Sequence, residues 1–222
     1  MMPSKWLMIK RQRGILLTPP ELGIQTMTTI QLPDGSTRDF NGPVTPAKVA
    51  ESIGPGLAQS AIGARVDGEL VDLQFKIEQD AEISIITARK GESESSEDAL
   101  WLIRHSAAHV MAEAIQRLWP EVQLVYGPPV EGGFYYDMWL PDGERISSDD
   151  FEKIEKEMKS IVDENRPFTR YEMPADEGMQ KVESEGSKYK IDNARRAIDA
   201  GSDALSWYAT GSPGEDWEDL CR

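Results

Sequence analysis

In the first third of the chain, apolar and polar positions alternate over short runs, which is typical of strands joined by tight turns. Residues 28–32 and 37–40 are rich in β-branched and apolar side chains and flank a Pro-Asp-Gly-Ser turn, so they predict a hairpin. Thr45 followed by proline predicts an N-cap and the first residue of a helix that ends at Gly54. The pattern therefore begins with a hairpin and one short helix.

A second hairpin and a last strand complete this region. Residues 61–66 and 69–73 flank Asp67-Gly68, a strong signal for a two-residue turn, and residues 82–87 predict a further strand. The order hairpin, helix, hairpin, strand is the outline of a β-grasp, ubiquitin-like domain, which we place at residues 27–88. Residues 1–26 are predicted to be an N-terminal extension.

Residues 89–97 are polar and aperiodic and predict a linker to a second domain at residues 98–222. The apolar periodicity there predicts two long helices, three strands and one shorter helix, followed by irregular sequence to the end. The helices are expected at 99–119, ended by Pro120, and at 149–165; the strands are expected at 122–126, 134–140 and 168–173. Helices with few antiparallel strands indicate an α+β fold.

Composition limits the classes of function. The 222 residues carry 24 Lys and Arg against 39 Asp and Glu, a net charge of −15. Residues 98–222 carry 14 basic and 26 acidic side chains, so this domain has no general attraction for phosphate backbones. No apolar stretch is long enough to span a membrane. A single cysteine, Cys221, excludes an internal disulfide and fits a reducing cytoplasm.

The only two histidines, His105 and His109, lie four residues apart in the first long helix. Residues at this spacing share one helix face, so the two imidazoles are expected side by side. We predict that they lie roughly opposite a core stripe formed by Ile103, Ala107, Val110, Ala114 and Leu118. The pair could bind a metal, act in acid–base chemistry, or consist of two ordinary exposed or capping histidines.

Other candidate groups are separated along the chain. Two histidines and Cys221 could form a three-ligand zinc site with an open position, or Cys221 is a structural thiol. Tyr135 and Tyr136 should point to opposite faces of their strand, so that one lines a pocket while the other packs. Lys188 and Lys190 share a face if the chain around them is extended. The default interpretation of each is a solvated surface lysine.

Together these motifs resemble the N-terminal part of the bacterial threonyl-tRNA synthetases. The resemblance covers residues 27–222 and is carried by His105-Ser106-Ala107-Ala108-His109, Tyr126-Gly127-Pro128-Pro129-Val130-Glu131-Gly132-Gly133-Phe134-Tyr135-Tyr136-Asp137 and Asp219-Leu220-Cys221-Arg222. It implies a TGS domain with the β-grasp fold at 27–88. It also implies an α+β editing domain, with helices packed on an antiparallel sheet, at 98–222.

The resemblance also implies a function and its residues. Editing domains of this family hydrolyse serine that was attached by mistake to threonine tRNA. By the family's motifs, His105, His109, Lys190 and Asp219 are expected to be catalytic, and Tyr136, Cys221 and Gly127 to bind the substrate. In the family the motif that starts at Cys221 continues to a further histidine, whereas this sequence stops at Arg222, so we expect this chain alone to be weakly active or inactive.

Partners and cofactors follow from the same resemblance. The expected partners are the acceptor end of a tRNA, bound weakly, and the rest of a synthetase, which is expected to be a homodimer. No cofactor is expected in this part; ATP and zinc belong to the family's aminoacylation core. Two alternatives are a metal-dependent hydrolase or alanyl-type editing domain with zinc on His105, His109 and Cys221, and a non-catalytic tRNA-binding remnant.

Overall fold

The computed structural model of the protein describes residues 27–88 and 96–221. The predicted extension at 1–26, most of the predicted linker and Arg222 lie outside the described residues. Of Cys221 only the backbone is described.

The first domain is a five-stranded mixed sheet with two short helices. Its elements are β1 (Met27–Gln31), β2 (Thr37–Asn41), α1 (Pro46–Ile53), α2 (Pro55–Ser60), β3 (Ala61–Val66), β4 (Glu69–Val71) and β5 (Ala81–Thr87). The strand order is β2-β1-β5-β3-β4, in which only β1 and β5 run parallel, with Ile30 opposite Ala81. Ile30, Val44, Val49 and Ala64 are fully or almost fully buried at its centre.

Local sequence signals account for this domain. The Thr45 Oγ1 accepts a hydrogen bond from the backbone N–H of Lys48, and Pro46 is the first residue of α1, as predicted. Asp67 and Gly68 both have positive φ, at 49° and 87°, which the predicted two-residue hairpin turn requires. The predicted β-grasp outline is confirmed.

The second domain has four helices of two or more turns and several small sheets among the described residues. Its elements are α3 (Glu97–Leu118), β6 (Gln123–Tyr126), β7 (Pro129–Val130), β8 (Gly133–Phe134), β9 (Asp137–Trp139), two short 3₁₀ turns (Pro141–Gly143 and Ser148–Asp150), α4 (Phe151–Asp163), β10 (Phe168–Pro174), α5 (Ala175–Glu185), α6 (Lys188–Asp199), β11 (Ala204–Thr210) and β12 (Trp217–Cys221). Strands β10-β11-β12 form an antiparallel sheet, β6 pairs with β9, and β7 pairs with β8. The predicted α+β class is confirmed.

The antiparallel sheet separates two packed layers. On one face Trp207 is fully buried with Val182 of α5, Ala194 of α6 and Leu205. On the other face Tyr208 packs against both histidines of α3. Because Asp219 lies directly opposite Tyr208 in the β11–β12 register, it shares the face turned towards α3.

Two sequence predictions for this domain are wrong. The single strand expected at 134–140 is divided between β8 and β9, which pair with different partners and leave Tyr135 and Tyr136 between them. The region expected to be irregular contains α6, β11 and β12. Gly186, at φ 71°, ends α5, and the Ser187 side chain caps α6, so Lys188 and Lys190 begin a helix rather than an extended stretch.

The core stripe predicted for α3 is also partly wrong. Ile103 is 44% exposed, whereas Ala108, His109 and Ala112, on the side opposite the predicted stripe, are buried. The reason is that α3 is surrounded: α4 packs on it, the sheet of the second domain covers the histidine face, and the first domain touches its start. There, Arg65 pairs with Asp98, with 2.6 Å between Arg65 Nε and Asp98 Oδ2. None of the described helices combines the length and apolarity needed to cross a bilayer.

Candidate active site

The histidine pair is the centre of the candidate site. His105 and His109 lie one turn apart on α3, as predicted, and their Nε2 atoms are 3.1 Å apart. His109 is only 6% exposed, and the ring of Tyr208 lies 5.4 Å from its ring centre and 5.6 Å from that of His105. The pair is therefore held between the helix and the sheet, not on a solvated surface.

Burial keeps both imidazoles neutral. Burial lowers the pKa of His105 to about 4, and the positive charge that His109 can carry lowers it as well. Burial also lowers the pKa of His109, although the carboxylate of Asp219 partly opposes this effect. At neutral pH the Nε2–H of one ring therefore donates to the Nε2 of the other. The donating ring keeps its Nδ1 as a nitrogen that can accept a proton, whereas the basic nitrogen of the accepting ring is used in this hydrogen bond.

The lowered pKa of His105 predicts a pH-dependent stability. Below its ordinary pKa of 6.5 the unfolded chain binds a proton at His105 that the folded chain does not, so stability falls as the pH falls from 6.5 towards about 4. Between pH 7 and pH 5.5 the loss from this residue is about 1 kcal/mol.

Urea unfolding at the two pH values measures this loss. His105→Gln, which does not titrate there, should lose about 1 kcal/mol less between them than the parent protein. Equal losses in both proteins would show that His105 is not held neutral by burial.

Three side chains from distant parts of the chain meet beside the histidines. The Tyr136 hydroxyl donates a hydrogen bond to Asp219 Oδ2, and Lys190 Nζ lies 3.4 Å from Asp219 Oδ1. Asp219 is 4% exposed and Lys190 is 8% exposed, so both charges are buried. A buried ion pair of this kind is stable only while both partners are present.

Lys190 has a second carboxylate partner. Its Nζ donates to Glu185 Oε2 over 3.0 Å, across the turn between α5 and α6. Burial on its own would lower the pKa of Lys190, but Asp219 and Glu185 outweigh it and raise that pKa above its ordinary value. Lys190 is therefore a fixed positive charge, not a proton acceptor, at neutral pH.

Gly127 allows Tyr136 to reach Asp219. The Tyr136 ring lies directly against the backbone of Gly127, where a Cβ atom would overlap the ring carbons. Only glycine permits this approach, so the residue predicted to bind substrate also sets the position of Tyr136.

This contact predicts a stability loss for Gly127→Ala. The added methyl group should displace the Tyr136 ring and lower the free energy of unfolding by about 1–3 kcal/mol. Gly133→Ala is the matched control, because a Cβ there meets no atom within 4 Å. Urea unfolding of both variants tests the contact; equal stability of the two would contradict it.

A cavity of about 150 Å³ joins these groups. The predicted residues that line it are His105, His109, Gly127, Tyr136, Lys190 and Asp219. Tyr135, expected to pack if Tyr136 lined the pocket, is instead 45% exposed, and Lys188 is exposed at the start of α6. The predicted contribution of Cys221 rests on a side chain outside the described residues and stays a prediction.

Two residues of the site were missed by sequence reasoning. Asn193 lines the cavity and donates from Nδ2 to the Val125 carbonyl over 2.7 Å, and Glu185 holds Lys190. The sequence signal that could have placed Asn193 beside Lys190 is Gly186-Ser187. A helix-ending glycine followed by a capping serine predicts a new helix, which turns Lys190 and Asn193 towards the same side.

The described residues do not by themselves form a complete metal site. Within 27–88 and 96–220, no three His, Asp or Glu side chains are arranged to hold a metal ion. A zinc ion in a catalytic site needs three protein ligands, and the histidine pair supplies two. In the zinc alternative the third ligand is Cys221, whose side chain is not described, so zinc binding stays an alternative that metal analysis can test.

The arrangement is suited to hydrolysis. It combines neutral imidazoles that can accept a proton from water, a buried ammonium group that can stabilise a developing negative charge, and a carboxylate with a phenol that can bind a polar group. All of these lie around one small cavity.

Comparison with known proteins agrees with the two-domain organisation. The profile of the TGS domain family matches residues 28–87, which are the β-grasp domain. The threonine–tRNA ligase of Acidiphilium cryptum is 44% identical over 196 residues, which is 88% of this chain and 28% of that protein. The enzyme of Thiobacillus denitrificans is 45% identical over 88% of this chain and 29% of its own length.

A further relative also matches most of this chain and about a quarter of its own length. The threonine–tRNA ligase of Paramagnetospirillum magneticum is 47% identical over 166 residues, 75% of this chain and 25% of that protein. The chain thus spans a little over a quarter of the length of the curated relatives it matches. Residues 28–87 therefore form a TGS domain, and the chain is homologous over most of its length to the N-terminal region of the threonine–tRNA ligases.

Proposed function

We propose that residues 98–222 form an editing domain that hydrolyses serine esterified in error to threonine tRNA. The observation that carries the proposal is the 150 Å³ cavity where a neutral histidine pair, the buried Lys190 ammonium and the Asp219–Tyr136 pair meet. Homology to the threonine–tRNA ligases supports it. Serine and threonine differ by one methyl group, so a ligase for threonine is prone to attach serine in error.

In the proposed reaction a water molecule attacks the carbonyl carbon of the seryl ester. A neutral imidazole of the pair takes a proton from the water, and the Lys190 ammonium stabilises the negative charge that develops on the carbonyl oxygen. The bond from the carbonyl carbon to the ribose oxygen then breaks, and this oxygen takes the proton from the imidazolium. The products are serine and uncharged tRNA.

The proposed reaction requires selectivity for serine over threonine. A synthetic site cannot exclude serine by size, because serine is the smaller amino acid. One methyl group in a binding pocket is worth only about 1–3 kcal/mol, so a second, tighter site is needed to sort the products. Asp219 and Tyr136 line the cavity where they can contact the seryl group, and the proposal requires that they exclude the further methyl group of threonine.

The acidity of residues 98–222 predicts weak binding of tRNA by this chain. With 14 basic and 26 acidic side chains, the domain lacks the positive surface that gives affinity for a phosphate backbone. At physiological salt we expect a dissociation constant weaker than about 1 µM, measured by filter retention. Tighter binding would mean that the chain itself captures the tRNA body.

A single-turnover experiment tests the proposal. With the protein in large excess over seryl-tRNA, weak binding does not hide the chemical step, and release of serine should exceed release in buffer. Asp219→Asn keeps the shape of the side chain but removes the charge that holds Lys190, so it should lose most of this release. No release above buffer, either by the parent protein or by a form extended past Arg222 through the family's next histidine, would refute the proposed hydrolysis.

The proposal concerns hydrolysis alone. Because the chain spans about 28% of its relatives, aminoacylation, ATP binding and dimerisation stay predictions about a full-length ligase.

A further inference from the structure

Two large aromatic side chains are exposed around the cavity that holds the histidine pair. Trp101 and Tyr126 both line this cavity, and each is 42% exposed. Trp101 lies on α3, one turn before His105, and Tyr126 is the last residue of β6, directly before Gly127. The cavity thus carries aromatic surface on two different elements.

Trp101 continues the line of the histidine pair. Its ring centre lies 5.2 Å from that of His105, at an interplanar angle of 62°, and the ring of His105 lies 4.8 Å from that of His109. The three rings therefore follow one face of α3 at successive turns. A flat aromatic ligand stacked on Trp101 can therefore place the group that is bonded to it one helical turn away, beside the two imidazoles.

We propose that Trp101 and Tyr126 form a stacking subsite for the terminal nucleobase of the aminoacyl-tRNA; this rests on the proposed function. Stacking on aromatic rings gives affinity for a base without positive charge, which suits an acidic domain. Contact with phosphate would need cations, and among the described residues lining the cavity the only Lys or Arg is Lys190, which is 8% exposed. The subsite therefore recognises the base, and through it sets the position of the ester.

The position of the subsite gives it a specific role. With the base against Trp101, the ribose and its ester extend towards His105 and His109, where the water is activated. Trp101 is then a binding residue that contacts substrate, and its loss should weaken binding of nucleoside-containing ligands more than it slows hydrolysis of a small ester that has no base.

Binding of adenosine tests the subsite without any ester. Measured by NMR titration, Trp101→Ala should weaken adenosine binding roughly 5- to 100-fold, and Trp101→Phe should retain most of it. Trp139→Ala is the matched control, because Trp139 is 44% exposed on β9 and does not line this cavity. Thermal unfolding of each variant shows whether the fold is retained.

A second readout separates stacking from support of His105. Hydrolysis of serine methyl ester, which has no base, should slow less in Trp101→Ala than hydrolysis of seryl-tRNA. Equal adenosine affinity in Trp101→Ala and the parent protein, no adenosine binding by the parent, or equal slowing of the two esters in the variant would each overturn the subsite. Trp101-dependent adenosine binding by a protein that releases no serine would instead support the subsite and refute the proposed function.

Discussion

Replacement of His105 with alanine is expected to slow release of serine from seryl-tRNA by about 10²–10⁴-fold, the usual contribution of a positioned proton acceptor. The burial that lowers the pKa of His105 to about 4 keeps the ring neutral at pH 7, as a proton acceptor must be, and also makes it a weaker base than an exposed histidine. Lys190, held as an ammonium by two carboxylates, cannot replace it.

The measurement is the single-turnover rate with the protein in excess, and the control is Ser106→Ala. Ser106 is the next residue on α3 and is exposed, so its loss should leave the rate unchanged. If His105→Ala slows the reaction by less than about tenfold, the proton acceptor is another group.

The largest loss of stability is expected for Glu113→Ala, at about 3 kcal/mol or more. Glu113 is 1% exposed on α3, and its Oε1 accepts hydrogen bonds from Arg117, at 2.7 Å, and from Arg166, which precedes β10. Removal of the carboxylate leaves two guanidinium groups partly uncompensated where the helix meets the sheet. Because Arg166 also donates to the Thr210 carbonyl, the loss should loosen the edge of that sheet.

Chemical denaturation at pH 7 measures this effect. Glu157→Ala is the matched control, since Glu157 also pairs with Arg117, over 3.1 Å, but is 27% exposed and should contribute less than about 1 kcal/mol. Similar losses in the two variants would show that burial of Glu113 adds nothing to its ion pairs.

The TGS domain could be predicted from the sequence because its signals are local. Thr45 before a proline and Asp67-Gly68 between two alternating runs each specify one backbone geometry, and the structure contains both.

The second domain was harder to predict because its strands are short and change partners. Nothing in the sequence from Phe134 to Leu140 marks the point where pairing passes from β7 to β6.

In the candidate site, too, the local features could be predicted from the sequence and the tertiary contacts could not. The spacing of His105 and His109 on one helix predicts that they are neighbours, and they are. The approach of Tyr136, Lys190 and Asp219 depends on the β10–β12 sheet and on α6, a helix that the sequence analysis did not predict. Those residues were named through the family resemblance, which carries information about tertiary contacts that periodicity lacks.

The most direct test of the account compares two esters that differ by one methyl group. Seryl-tRNA and threonyl-tRNA, prepared on the same threonine tRNA, are mixed with excess protein, and the single-turnover rates are compared. If the cavity beside the histidines sorts its ligands as we propose, serine should be released at least about tenfold faster than threonine. Equal rates for the two esters, or rates no faster than in buffer both for this protein and for a form extended past Arg222 through the family's next histidine, would contradict the assignment of this cavity as an editing site.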